Sequence, residues 1–158
     1  MDELNILRTA ILNEVEGYQF YSLAAMRAED QFVKDAFEHL AREEQQHEAW
    51  LRKMYQELSD KQSPSVDVTE APSPRVFRPE KVGVESGSLE ISVYKIGILM
   101  EKASMVFYQN AAKEAVTPEL KELMQRLADW EDNHLESLQN IYDTLKEEWW
   151  DKQGFSPA

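Results

Sequence analysis

Leu40-Ala41-Arg42-Glu43-Glu44-Gln45-Gln46-His47 is written a second time as Leu127-Ala128-Asp129-Trp130-Glu131-Asp132-Asn133-His134, so that both segments read Leu-Ala-x-x-Glu-x-x-His. On an α-helix positions i and i+3 share a face, and each copy therefore aims one carboxylate and one imidazole the same way, as two ligands for one metal ion. One Glu-x-x-His is a weak signal in a Glu-rich chain, where a solvated helix face is the plain explanation. Two copies in register are a different matter. A shift of 87 positions superimposes them, and the same shift carries Ile11-Leu12-x-Glu14 onto Ile98-Leu99-x-Glu101 and Phe20-Tyr21-x-x-Ala24-Ala25 onto Phe107-Tyr108-x-x-Ala111-Ala112, with no gap. Lys34, Leu51, Tyr55 and Leu58 fall on Lys121, Leu138, Tyr142 and Leu145, while Asp30 falls on Thr117. One unit of roughly residues 4 to 58 is thus written twice.

Composition bounds what such a unit can be. The 158 residues suffice for one domain with a real core, 42% are hydrophobic, and Gly numbers only 5. With 30% charged residues and long stretches free of Pro, the expectation is an all-α protein. A net charge of −13 argues against nucleic acid or an anionic membrane as partner. It is compatible with cation binding, although a solvated acidic surface is its default meaning. The absence of Cys excludes disulfides, thiolate metal sites and thiol redox chemistry. Met1-Asp2-Glu3 lacks the basic and apolar blocks of a signal peptide, and no apolar run approaches membrane-spanning length, so a cytoplasmic protein is expected.

Four helices are expected, over about 3–28, 31–58, 89–115 and 118–149. In the first, Leu4, Leu7, Ile11, Glu14, Tyr18, Tyr21 and Ala25 recur at spacings of three and four, which puts Glu14 inside an apolar stripe. Asp30 should cap the second helix, whose inner face carries Val33, Phe37, Leu40, Glu44, His47, Leu51 and Leu58. Residues 60–87 hold Pro64, Pro72, Pro74 and Pro79 without a helical period. A linker of that length suits a crossover between two helices running in the same direction. Ser88 is a candidate cap for the third helix, with Ile91, Tyr94, Ile98, Glu101, Met105, Tyr108 and Ala112 inward. Thr117-Pro118 opens the fourth, with Thr117 as N-cap and Leu120, Leu127, Glu131, His134, Leu138, Ile141 and Leu145 inward. A domain over 1–150 would leave 151–158 as a frayed tail.

Each half then folds as an antiparallel hairpin. Glu14 lies 16 residues before Asp30 and Glu44 lies 14 after it, and Thr117 divides Glu101 from Glu131 in the same way. At 1.5 Å per residue the two carboxylates of a hairpin are nearly level. Packing the hairpins about a pseudo-twofold axis brings Glu14, Glu44, His47, Glu101, Glu131 and His134 together at mid-bundle. Four uncompensated carboxylates in a core would each cost at least several kcal/mol. Two divalent cations balance them, and an all-oxygen and imidazole donor set suits Fe(II) or Mn(II), with Zn(II) admitted by affinity. Glu44 and Glu131 are assigned as the carboxylates that bridge both ions. The other two Glu and the two His each terminate one.

One Glu from each of two helices and Glu-x-x-His from each of the other two is the pattern of the ferritin-like dimetal carboxylate bundles. Within that superfamily Glu14-Val-Glu-Gly-Tyr-Gln-Phe-Tyr21, Leu40-Ala-Arg-Glu-Glu-Gln-Gln-His47 and Glu101-Lys-Ala-Ser-Met-Val-Phe-Tyr108 resemble the rubrerythrin family, across both repeats. The resemblance implies a ferritin-like four-helix bundle holding two iron ions that reduces hydrogen peroxide, or O2, with electrons from a donor. Two departures qualify it. Full rubrerythrins carry a rubredoxin domain whose four Cys hold an iron, and without Cys the expected donor is a separate protein, rubredoxin-like or a flavoprotein. Rubrerythrins that shift an iron between Glu and His have a further Glu one turn after the helix-three ligand, where this chain has Ser104. A symmetric di-iron site is therefore expected.

Tyr21 and Tyr108 each follow a ligand Glu by seven residues, two turns along the same face and within reach of a bridging carboxylate. They either orient that carboxylate or pass an electron, or are ordinary core tyrosines with satisfied hydroxyls. His39 falls off the ligand stripe, and Glu16 and Glu43 adjoin it as solvated charges. Trp50, Trp130, Trp149 and Trp150 suit an oligomer surface or the bundle ends. Besides an oxidoreductase, two other classes fit: an iron-handling ferroxidase, and a metal-free helical interaction module. A homodimer is expected, and the long linker would let two chains exchange hairpins.

Overall fold

The computed structural model describes residues 2–59 and 89–154. The helices are α1 (Glu3–Arg27), α2 (Gln31–Ser59), α3 (Leu89–Glu114) and α4 (Pro118–Lys152). The linker over 60–87, the Ser88 cap, the Ile91 side chain and the last four residues of the tail lie outside the described residues.

Asp30 caps α2 as its chemistry dictates, its Oδ1 accepting the Val33 N–H at 3.0 Å. Thr117 takes the extended N-cap backbone ahead of Pro118 but makes no side-chain cap bond to its own helix. Its hydroxyl donates instead to Glu3 Oε2 at 2.7 Å, and the N–H groups of Val116 and Thr117 donate to Glu3 Oε1 at 2.8 and 2.6 Å. The carboxylate of α1 is the stronger acceptor, and it fastens the start of α1 to the α3–α4 turn. α4 continues to Lys152, past the stop expected near Trp149-Trp150, so the first residues of the expected frayed tail are helical. Termination waits for Gly154, whose φ of 78° suits a residue without Cβ and whose N–H bonds to the Asp151 carbonyl at 3.0 Å.

The Glu3 tie fixes direction. α1 rises from the end at which α3 finishes and α4 begins, so α1 and α4 run one way and α2 and α3 the other. Residues 59 and 89 therefore stand at opposite ends, as a crossover connection requires. α1 packs along α2 and α3 along α4, and α1 against α3 and α2 against α4 close the four-helix bundle.

Two large apolar cores, with a small cluster at Ile96 and Met100, fill it. One gathers Ile6, Leu7, Ile11, Leu51, Tyr55, Leu120, Met124 and Leu127 near the Glu3 end. The other gathers Tyr21, Val33, Phe37, Leu40, Tyr94, Ile98 and Leu138 toward the α1–α2 turn. The expected inner stripes lie in these cores, with Leu4, Tyr18, Leu58, Met105, Ile141 and Leu145 only partly buried. α1 buries more of its circumference than a single stripe, adding Ala10, Asn13 and Gly17. Between the two cores lies a polar layer.

Candidate metal centre

Glu14, Glu44, His47, Glu101, Glu131 and His134 are all buried, none more than 5% exposed. Ligand atoms of Glu14, Glu44, His47 and Glu131 lie within 4.8 Å of one another, and so do those of Glu44, Glu101, Glu131 and His134. Glu44 and Glu131 belong to both groups, while each remaining Glu and each His belongs to one. Both imidazoles turn Nδ1 inward. His47 Nδ1 is 3.2 Å from Glu14 Oε2, 3.4 Å from Glu131 Oε1 and 3.8 Å from Glu44 Oε2. His134 Nδ1 is 3.6 Å from Glu101 Oε1 and 3.7 Å from Glu44 Oε1.

The two tyrosines reach partners other than those expected. The Tyr21 hydroxyl donates to Glu101 and the Tyr108 hydroxyl to Glu14, each crossing to the other hairpin's single carboxylate rather than to Glu44 or Glu131. Helix arithmetic explains the crossing. Glu14 stands 11 residues above Glu3, whereas Glu101 stands 16 above Thr117, the residue tied to Glu3. The two are staggered by about 7.5 Å along the axis, and Tyr21, at 18 residues, comes within about 3 Å of the level of Glu101. Gly97, one turn before Glu101, faces the same region: a Cβ there would lie at ordinary contact distance, 3.8 Å, from the Tyr21 hydroxyl, and more tightly, at 3.3 Å, against Leu138.

Glu43 is more than the solvated charge its position suggested. One of its oxygens, Oε2, meets His134 Nε2 and accepts the Trp130 indole N–H at 3.3 Å, while Oε1 lies 2.9 Å from His39 Nε2. A neighbour of Glu44 on its own helix, it is turned toward His134 on another. His39 itself is exposed, as expected for a rim residue. Trp50 and Trp130 are not at a bundle end: their rings lie 5.5 and 5.6 Å from that of His47. Trp149 and Trp150 do sit at the far end of α4. Ser104 is buried and accepts a hydrogen bond from Asn13 Nδ2 at 3.1 Å, so the polar layer extends to that pair.

Electrostatics divide the four carboxyls into two kinds. Burial, then the charge of Glu14, holds Glu44 well above the usual range, and burial with the charge of Glu101 does the same for Glu131. Burial would also raise Glu14 and Glu101, but it is outweighed. Glu44 and His47 close beside it lower Glu14, and Glu131 and His134 in the same way lower Glu101. Burial disfavours the imidazolium too, yet the neighbouring carboxylates of Glu131 and Glu14 lift His47 to about 10, and those of Glu101 and Glu43 lift His134 to about 9. The His134 contact brings Glu43 down to about 2. Burial and the adjacent carboxylate raise both tyrosines well above 10, so both stay neutral donors.

The donor set fits a pair of cations. Glu44 Oε1, Glu101 Oε2, Glu131 Oε1 and His134 Nδ1 are buried without a hydrogen-bond partner among the described residues, a costly arrangement unless something else binds them. Four carboxylates with two neutral imidazoles are balanced by two divalent ions, and the oxygen-rich donors suit a hard to borderline metal.

A cavity of about 310 Å³ between α2 and α4 is lined by His39, Glu43, Trp130, His134 and Ser137. It reaches the layer from the His134 side. Among the described residues, no helix is long and apolar enough to cross a membrane.

A model of the Rubrerythrin family matches residues 5–142. A solved structure of a hypothetical protein from Pyrococcus furiosus is similar to the chain with 26% identity and a TM-score of 0.75, covering 93% of this chain and 92% of that one. No curated protein matches. The family match takes in residues of all four helices and every member of the buried Glu and His cluster, and the chain belongs to the rubrerythrin family.

Proposed function

We propose that the chain is a non-haem di-iron oxidoreductase that reduces hydrogen peroxide, or O2, with electrons from a separate donor protein. The observation that carries this reading is the overlap of the two four-residue clusters in Glu44 and Glu131, which suits two ions held by two shared carboxylates. Glu14 and His47 would complete one position, Glu101 and His134 the other. Peroxide reduction takes two electrons and two protons and yields two waters. Two Fe(II) ions would supply those electrons, one each, and the donor would return them.

The protein's own part is to hold and to exclude. Tyr108 and Tyr21 restrain Glu14 and Glu101 through their hydroxyls, which fixes one oxygen of each and would leave the other to hold an ion. Glu43 takes the Nε2 side of His134 and so leaves Nδ1 as its ligand atom. The cavity beside Glu43 and His134 has room for a molecule the size of peroxide. The apolar cores on either side keep bulk water from the remaining faces.

All 158 residues lack Cys, so no thiolate iron site in them can serve as the electron relay, which supports a separate rubredoxin-like or flavin donor. Leu23, Leu99 and Val106 on α1 and α3 are about half exposed, an apolar surface that suits a homodimer. One chain supplies all six site residues, so such a dimer needs no exchange of hairpins.

Stopped-flow mixing of the di-ferrous protein with peroxide or with O2 tests the oxidant. Oxidation much faster with peroxide is expected, whereas equal slow rates would refute the peroxidase reading. Uptake of many Fe atoms per chain would favour ferroxidase storage instead. Elemental analysis should give two ions per chain, with Glu44→Ala losing both and Glu14→Ala one.

A further inference from the structure

The 87-residue repeat pairs Glu43 with Trp130, and this pair stands beside the two histidines of the layer. His134 has its outward Nε2 against the Glu43 carboxylate, which is braced by His39 and by the Trp130 indole N–H. His47 has no such partner. Its Nε2 is buried with no hydrogen-bond acceptor among the described residues. Where symmetry would place a carboxylate, the Trp130 ring stands edge-on to the imidazole, at 84° and 5.6 Å between centroids. The exchange recurs seven residues on: Trp50 packs on His47 at 5.5 Å, while its repeat mate Ser137 lines the cavity beside His134.

We propose that Glu43 is a positioning residue that makes the two metal positions unequal, the one completed by His134 and Glu101 binding its ion the more tightly. The inference rests on the dimetal reading above and concerns only how the two positions differ. A carboxylate on the outer nitrogen fixes which nitrogen carries the proton, holds the ring at its angle and makes Nδ1 a better donor. Removing such a partner typically costs ten- to a hundredfold in metal affinity. Two indole rings orient His47 by packing but accept nothing from its Nε2–H. They also surround it with apolar surface that disfavours the positive charge an imidazole acquires when it donates to a cation. The His134 position alone has an anion behind its imidazole.

Co(II) titration of the chelator-stripped, full-length protein, followed by visible absorbance and calorimetry, tests this without reference to turnover. Wild type should take up two ions in steps separated by at least tenfold. Glu43→Gln should weaken the tighter step by ten- to a hundredfold and leave the weaker one in place, and Glu43→Asp should recover part of the loss. Trp130→Glu, which restores a carboxylate at the repeat-related position, should strengthen the weaker step. A single step in the wild type, or a Glu43→Gln protein whose two steps are unchanged or weakened alike, would overturn the proposal. Failure of wild type to bind any Co(II) would overturn the metal-centre reading itself.

Discussion

Loading the stripped protein with two divalent ions should expel at least two protons at pH 7. The count follows from the groups in the polar layer. His47 and His134, lifted to about 10 and about 9, each carry an extra proton at neutral pH, and burial beside Glu14 and Glu101 raises Glu44 and Glu131 toward the protonated form. A metal ligand must be a carboxylate or a neutral imidazole, so each histidine gives up one proton when ions bind, and each raised carboxyl adds whatever proton it holds. Each proton displaced makes binding about tenfold tighter per pH unit, so the overall two-ion constant should change by at least about two decades per unit near neutrality. Calorimetric titration with Mn(II) at pH 7, in two buffers of different ionisation enthalpy, reads the number directly from the slope of observed against buffer enthalpy. Release near zero would mean four ionised carboxylates and two neutral imidazoles before any ion arrives, and the electrostatic account of the layer would fall.

The same groups set a pH window for the stripped protein. A histidine whose folded pKa is raised contributes stability that is complete below 6.5 and lost as pH rises through the folded value, so the Tm should fall between pH 7 and pH 10.5. The raised Glu44 and Glu131 push the same way, and a flat Tm would count against both assignments. Acid acts through the opposite class: the contribution of Glu43 is present above about 4.5 and disappears as pH falls toward 2, seen as loss of the His134 Nε2–H signal by NMR. Tyr108→Phe or Tyr21→Phe strips a buried carboxylate of its hydroxyl donor and should lower unfolding free energy by about 1–3 kcal/mol in urea, with little change in the fold by circular dichroism. Loss of only a few tenths would show that the hydroxyls pack rather than bind. Glu3→Ala should sharply accelerate hydrogen exchange at the Val116 and Thr117 amides while barely moving the Tm, because the carboxylate is on the surface.

The centre was legible in the sequence because it is periodic. Six Glu and His side chains on inner stripes, in two copies with one spacing, need only the rise of a helix to bring the carboxylates of each hairpin level, and Glu44 and Glu131 belong to both clusters. What was hidden depends on how one helix stands beside another. Tyr21 and Glu101 meet because the hairpins are staggered by about five residues, a relation between packed helices that the Glu3 contact marks and no local pattern encodes. Glu43 looks like one more surface acid, since it is one residue from the ligand stripe and points about 100° away around the helix. Its repeat mate is Trp130, but that is one mismatch among many between the two copies, and nothing in the sequence alone singles it out. Thr117 has every mark of an N-cap, and only the arrival of a distant carboxylate diverts its hydroxyl.

The crossed tyrosines have a consequence for how such a molecule can change. Neither hairpin owns a finished centre: each lends a hydroxyl to the acid of the other, and a lone half would hold a phenol facing nothing. If two identical hairpins were separate chains, every alteration would strike both sides at once. Joined end to end, they are free to differ, so one histidine can keep an acid at its back while its twin is walled in by indoles.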